Sequence, residues 1–128
     1  MNDGIKFLLL MLMIFCHIVD DYYLQGWLVS AKQQDWWKKN CPEDMYKHDY
    51  IVALLMHSFS WTFMVMLPSV VYTILFGGTI YPLLYLFNFL LHAFIDNMKA
   101  NWKEINLVQD QVAHLAQIVL TWMLIIWR

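Results

Sequence analysis

Residues 92–114 read HAFIDNMKANWKEINLVQDQVAH, and this stretch decides the predicted fold. It contains two ionisable pairs in opposite order, His92 with Asp96 and Asp110 with His114. A spacing of four residues puts both side chains of a pair on one face of a helix. On antiparallel helices, both pairs would place the carboxylate nearer one end and the imidazole about 6 Å deeper. The reversed order therefore fits matching polar groups on antiparallel neighbours.

Two more polar positions extend this pattern towards the start of the chain. His17 and Asp21 form a third pair, with His first, at the end of the first apolar segment. A fourth imidazole, His57, lies in the second apolar segment. Asp20 is rotated by about 100° from Asp21 on an ideal helix. We therefore expect Asp20 to be solvated or paired with a lysine of the following loop.

The composition is that of a membrane protein rather than a soluble domain. Of 128 residues, 61% are hydrophobic and only 14% are charged, and the length suits one domain. Seven Trp, seven Tyr and eight Phe suit aromatic belts at the membrane surfaces. The net charge is −2 and the eight basic residues form no stripe, which excludes nucleic acid as a partner.

Four apolar segments are long enough to cross a bilayer, which takes about 20 residues. The predicted spans are about 5–24, 48–76, 81–99 and 107–127. Pro68 is expected to kink the second span, and Gly77 with Gly78 to form the turn that follows it. We predict an all-α, polytopic membrane protein: a four-helix transmembrane bundle with an interfacial connector over residues 26–47.

The distribution of basic residues predicts the orientation. Six lysines lie in the two polar links, whereas the opposite side has only Lys6 and Arg128. Because cytoplasmic segments are enriched in Lys and Arg, the links are expected in the cytoplasm and both termini outside. The ionisable pairs then lie in the cytoplasmic half of the bilayer.

Seven ionisable side chains inside apolar segments indicate a metal site. They are His17, Asp21, His57, His92, Asp96, Asp110 and His114. Ionisable groups are costly in a bilayer, and imidazole and carboxylate are the usual ligands of zinc, manganese or iron. We expect a divalent metal, zinc first, with manganese or iron and one or two ions left open. A buried ion-pair network or a proton path is the alternative.

The predicted chemistry is hydrolysis of a lipid-linked or amphiphilic substrate, since a bound metal activates water. Lys99 is the candidate catalytic residue, placed to stabilise an anionic substrate or to extend towards the surface instead. A metal-ion or proton transporter, and a non-catalytic interaction protein with a structural metal, remain alternatives. Residues 7–15 and 118–127 are almost wholly apolar, which favours a site open to one side only.

The order of these residues also resembles a known pattern. It runs His17-x3-Asp21-Tyr-Tyr-Leu-Gln25-x-Trp27-x4-Lys32, then His57, His92-x3-Asp96-x2-Lys99 and Asp110-Gln111-x2-His114. This order resembles an uncharacterised family of small bacterial and phage inner-membrane proteins. It is similar, more distantly, to membrane-bound metal-dependent hydrolases. The resemblance implies a four-helix fold in the bacterial cytoplasmic membrane and a metal site, without a substrate.

Overall fold

The computed structural model describes residues 1–127, and within that range the chain is all-helical with no β-strand. Six helices follow one another: α1 (Asp3–Val19), α2 (Leu28–Ala31), α3 (Gln34–Asn40), α4 (Asp49–Phe76), α5 (Pro82–Asn97) and α6 (Leu107–Ile126). Turns of π-helix extend α1 and α5, over Asp20–Leu24 and Met98–Trp102, and a 3-10 turn covers Asp44–Tyr46. The predicted all-α class is confirmed, with a long helix in each predicted span.

The four long helices pack in a cycle. Helix α1 contacts α4 and α6, and α5 contacts the same two helices. The ends of α1 and α5 meet the first half of α4 and the start of α6, so neighbours run in opposite directions. An apolar core fills the other part of the bundle; it consists of Leu9, Met13, Trp61, Val65 and Ile118.

Local sequence signals set the start of α6 and the turn before α5. At α6, the Asn106 side chain accepts from the Gln109 backbone N–H while the Gln109 side chain accepts from the Asn106 N–H, both at 3.0 Å. Between α4 and α5, Gly77 and Gly78 have φ of 82° and 136°, a region that side chains disfavour. Pro82 is the first residue of α5, where its missing N–H leaves no bond unmade.

The connector between α1 and α4 is tied to the link between α5 and α6. The Asn101 side chain donates to the backbone oxygen of Lys32 at 3.0 Å and accepts from the Gln34 N–H at 2.6 Å. Lys103 donates to the exposed carboxylate of Asp35 at 2.6 Å, and this bond lowers the pKa of Asp35 below its ordinary value. Both polar links therefore act as one layer over the end of the bundle.

Two helical segments, Asp3–Leu24 and Asp44–Phe76, are long and apolar enough to span a membrane. Helix α4 continues through Pro68 without interruption. The crossing of all four helices stays a prediction. Arg128, which entered the charge argument, lies outside the described residues.

Candidate metal centre

Four side chains of types that bind metals converge at the end of the bundle that the polar links cover. They are Asp21, His57, His92 and Asp96. The Nε2 atom of His57, on α4, lies 3.1 Å from Nε2 of His92 on α5. The same His57 atom lies 3.3 Å from a carboxylate oxygen of Asp21 and 3.3 Å from one of Asp96. Residues from three helical segments, far apart in the chain, thus face one point.

A second group of donors adjoins the first. Nε2 of His114, on α6, lies 3.1 Å from Oδ1 of Asp96 and 3.4 Å from Oδ1 of Asp110. The rings of His92 and His114 stack with their centroids 4.2 Å apart. Two triplets, Asp21–His57–His92 and His92–Asp96–His114, each have ligand atoms within 4.8 Å of one another. His92 belongs to both triplets, so these side chains form one continuous cluster. We call it the His/Asp centre; it consists of Asp21, His57, His92, Asp96, Asp110 and His114.

Hydrogen bonding within the described residues does not satisfy the His/Asp centre. Buried atoms without a hydrogen-bond partner include Asp20 Oδ2, Asp21 Oδ1, His57 Nδ1, His92 Nδ1, Asp110 Oδ1 and His114 Nδ1. Nε2 of His57 carries at most one N–H, so it can donate to only one of its three neighbours, and either ring can donate in the His57–His92 contact. Ligand atoms of a tetrahedral zinc, at about 2.0–2.1 Å from the metal, lie about 3.3 Å from one another. The observed spacings of 3.1–3.4 Å match that separation, and the two spacings of 3.1 Å are also hydrogen-bond distances.

His17 lies beside the centre with both ring nitrogens in contact with protein groups. Trp61 donates its indole N–H to His17 Nδ1 at 2.8 Å. The other nitrogen, Nε2, must then carry the proton and donate to Gln111 Oε1 at 3.0 Å. His17 is outside both triplets. Its predicted role as a ligand stays a prediction, and its observed bonds are those of a neutral, oriented imidazole.

The expectation for Asp20 is wrong. Asp20 is 1% exposed, accepts from the Ser60 hydroxyl at 2.6 Å, and has Oδ2 at 3.6 Å from His57 Nδ1. The physical reason is the helical phase relative to His17: Asp20 follows His17 by three residues and Asp21 by four, and both spacings lie near one face of a helix. Asp20 and Asp21 consequently lie on either side of the His57 imidazole, where a carboxylate at Nδ1 can orient the ring.

Lys32 contacts the His/Asp centre, although its sequence position does not identify it as a site residue. Its ammonium donates to Asp96 Oδ2 at 2.6 Å, and the residue is only 5% exposed. The sequence predicts an interfacial connector over residues 26–47, in which a lysine would lie in water. The one sequence feature that could have indicated a role for Lys32 is its position at the end of the Gln25-x-Trp27-x4-Lys32 pattern.

Lys99 points towards the same centre from the opposite polar link. It donates to Asp110 Oδ2 at 3.0 Å, with 29% of its side chain exposed. It also lines a cavity of about 470 Å³ that reaches Asp21. The structure thus places Lys99 between solvent and the His/Asp centre, and its catalytic role stays a prediction.

Comparison with known proteins gives a family without an assigned activity. No curated protein and no solved structure matches the chain. The similarity to membrane-bound metal-dependent hydrolases therefore stays a prediction, whereas the expectation of an uncharacterised family is confirmed. Residues 9–128 match the family described as a protein of unknown function (DUF3307), and the chain belongs to that family.

Proposed function

We propose that this chain is an integral membrane protein that binds a divalent metal in the His/Asp centre. We further propose that it uses the metal to hydrolyse a lipid-linked or amphiphilic substrate at the cytoplasmic face. The contacts of His57 Nε2 carry the proposal, because an imidazole nitrogen and two carboxylate oxygens, all atom types that bind metals, lie 3.1–3.3 Å from it.

The distribution of polar and apolar side chains supports a membrane environment. The His/Asp centre is buried, whereas large apolar side chains on all four long helices are exposed. Examples are Phe7 and Phe15 on α1, Phe59 and Phe63 on α4, Leu83 and Phe94 on α5, and Val108 and Val112 on α6. Apolar surface on every side of a bundle exceeds what water-soluble monomers expose, and lipid chains would cover it.

The charge balance of the centre supports a cation. Four carboxylates, those of Asp20, Asp21, Asp96 and Asp110, face two ammonium groups, those of Lys32 and Lys99. With neutral imidazoles, two negative charges remain in excess, and one divalent ion would balance them. Two protonated imidazoles would balance them equally, and burial makes an uncompensated charge costly, so one of these two compensations is required.

The residues that would hold the metal are Asp21, His57, His92, Asp96, Asp110 and His114. Mixed nitrogen and oxygen donors suit zinc, manganese or iron. Such an ion would activate water and polarise the bond that is hydrolysed. Asp20, at 3.6 Å from His57 Nδ1, would orient that ring, and Lys99 would stabilise negative charge on the substrate.

The core on the far side of the centre favours hydrolysis over transport. Met13, Trp61, Val65 and Ile118 are each fully buried and pack together below the imidazoles. A path across the bilayer would have to cross this apolar core and the neutral cluster of Asn88, Gln117 and Thr121, which offers no ionisable side chain. The cavity of about 470 Å³ instead leads from Asp21 to the polar links. This arrangement supports a site reached from one side.

Metal analysis of the purified full-length chain tests the proposal. We expect at least one equivalent of a divalent metal per chain, and a lower melting temperature after treatment with a chelator. His57→Gln should reduce bound metal at least tenfold, because it removes His57 Nε2, the proposed ligand atom that lies closest to the other three. Gln117→Ala is the matched control, since Gln117 is also buried in the bundle but lies outside the centre.

Wild-type protein without stoichiometric metal, and with unchanged melting in chelator, would contradict the metal site. When metal is bound, release of phosphate or alcohol from lipid-linked substrates should depend on it. Metal or proton flux into sealed liposomes, without hydrolysis, would instead identify a transporter. Metal that stabilises the fold without hydrolysis or flux would identify a structural role.

A further inference from the structure

We propose that the cavity beside the His/Asp centre and the groove between α1 and α6 form one binding site for a phosphate-bearing lipid. The phosphate lies among lysines in the cavity, and the hydrocarbon chain follows the groove into the bilayer. This inference rests on the proposed function and specifies its substrate class.

The cavity has the donors that a phosphate needs. Its volume is about 470 Å³, and three lysines, Lys32, Lys99 and Lys103, line it together with the amides of Gln25 and Gln33 and the carboxylate of Asp21. Each ammonium is ion-paired to an aspartate that does not line the cavity, and these pairs fix the ammonium positions. A phosphate carries up to two charges and several acceptor oxygens, so it matches this donor set better than a carboxylate.

The groove has the character that a lipid chain needs. It encloses about 480 Å³ on the outside of the α1–α6 contact, and its apolar lining includes Ile14, Ile18, Tyr23 and Leu115. Ile18 and Tyr23 are exposed in the described structure. In the proposed membrane orientation this surface faces lipid, so a chain can enter it sideways without crossing water.

Tyr22 and Gln111 join the two spaces. Both residues line the cavity and also the groove. Gln111 further contacts His17 at 3.0 Å and Asp110 at 3.0 Å, next to the centre. A ligand with a charged head and an apolar chain can therefore occupy both spaces, with its head beside Asp21 and its chain directed away from the polar links.

Calorimetric binding to the full-length chain in a neutral detergent tests the inference. The probes are dioctanoyl phosphatidic acid, dioctanoylglycerol and inorganic phosphate. We expect phosphatidic acid to bind at least tenfold tighter than either of the others, because only it fills both spaces. Equal affinity for dioctanoylglycerol would refute the phosphate site, and equal affinity for inorganic phosphate would refute the lipid groove.

Variants separate the two parts of the site. Lys103→Gln and Lys99→Gln should each weaken binding of phosphatidic acid about tenfold, the effect of losing one charged hydrogen bond. Lys103 has an exposed side chain, so its variant is expected to fold even if Lys99→Gln does not. Lys39→Gln, in the other polar link and outside the cavity lining, is the control and should bind normally. Lysine variants that bind like this control would overturn the inference.

Leu115→Trp fills the groove and should weaken phosphatidic acid at least tenfold while leaving inorganic phosphate unchanged. Metal content measured on the same preparations separates this inference from the proposed function. Protein that retains metal but shows no preference for phosphatidic acid refutes the lipid site alone. Protein that binds phosphatidic acid with these variant effects but holds no metal refutes the metal chemistry alone.

Discussion

Two buried polar clusters lie in the same bundle and differ in how their hydrogen bonds are matched. The deeper cluster consists of Asn88, Gln117 and Thr121. The Gln117 amide donates to Asn88 Oδ1 at 2.9 Å and to the Asn88 backbone oxygen at 3.0 Å. Thr121 donates to Asn88 Oδ1 at 3.1 Å, and Asn88 donates to the Leu84 backbone oxygen at 2.8 Å. These neutral groups form interhelical hydrogen bonds, and Gln117 Oε1 is the one atom among them that has no partner within the described residues.

The His/Asp centre differs in charge. Its buried atoms without a hydrogen-bond partner include carboxylate oxygens of Asp21 and Asp110, beside the Nδ1 atoms of His57, His92 and His114. The difference shows that burial of polar groups alone does not indicate a site. Unpartnered carboxylates among imidazoles do, because a cation or a proton can compensate their charge.

Among variants of the two clusters, we expect Asp96→Asn to have the largest effect on stability. The change keeps the shape of the side chain but leaves the Lys32 ammonium, at 2.6 Å, without its counter-charge. Removing one partner of a buried ion pair costs about 3–5 kcal/mol. We expect a large drop in the melting temperature of the metal-loaded protein in detergent, because the centre is charge-balanced there before the change.

Asp35→Asn provides the control for Asp96→Asn. It breaks the exposed ion pair with Lys103, which has the same length of 2.6 Å. Water replaces the lost partner there, so the melting temperature should change little. If both variants melt alike, the centre does not depend on buried charge as described.

An intermediate effect is expected for Trp61→Phe. The variant removes the N–H that Trp61 donates to His17 Nδ1 at 2.8 Å and leaves a buried acceptor unmatched. Such a loss costs about 1–3 kcal/mol. Thermal unfolding measures it. Trp122→Phe removes an indole bond to the Lys6 backbone oxygen outside the centre, and an equal loss there would argue against a special role for Trp61.

The smallest effect is expected for Thr121→Val in the deeper cluster. It removes one neutral hydrogen bond, which in a membrane bundle contributes about 0.6 kcal/mol. Unfolding should shift slightly and bound metal should stay at the wild-type level. A loss of metal in Thr121→Val would show that the two clusters are coupled rather than separate.

The helical segments could be predicted because their signals are local. Spans near 5–24, 48–76, 81–99 and 107–127 correspond to α1 with its π-turn, α4, α5 with its π-turn, and α6. The spacing of four in each His/Asp pair likewise needs only helical geometry. These pairs do meet at one end of the bundle, with Asp96 within 3.1 Å of His114.

Asp20 could have been placed from local spacing, because it lies three residues after His17 and therefore near the same helix face. Two other features of the centre could not be predicted in this way. Lys32 enters it because Asn101, 69 residues away in sequence, binds the backbone of the connector. Trp61 lies against His92 with ring centroids 4.1 Å apart, although its sequence context is an ordinary apolar run.

The sequence by itself determined the helical class, the four long segments and the presence of matching His/Asp pairs, because helix formation and its 3.6-residue period are encoded in neighbouring residues. Only the tertiary structure decided which nitrogen and oxygen atoms face one another, which imidazole is already hydrogen-bonded, and which lysines balance the charge. Those properties depend on distances of a few tenths of an ångström between helices, and no single segment specifies them.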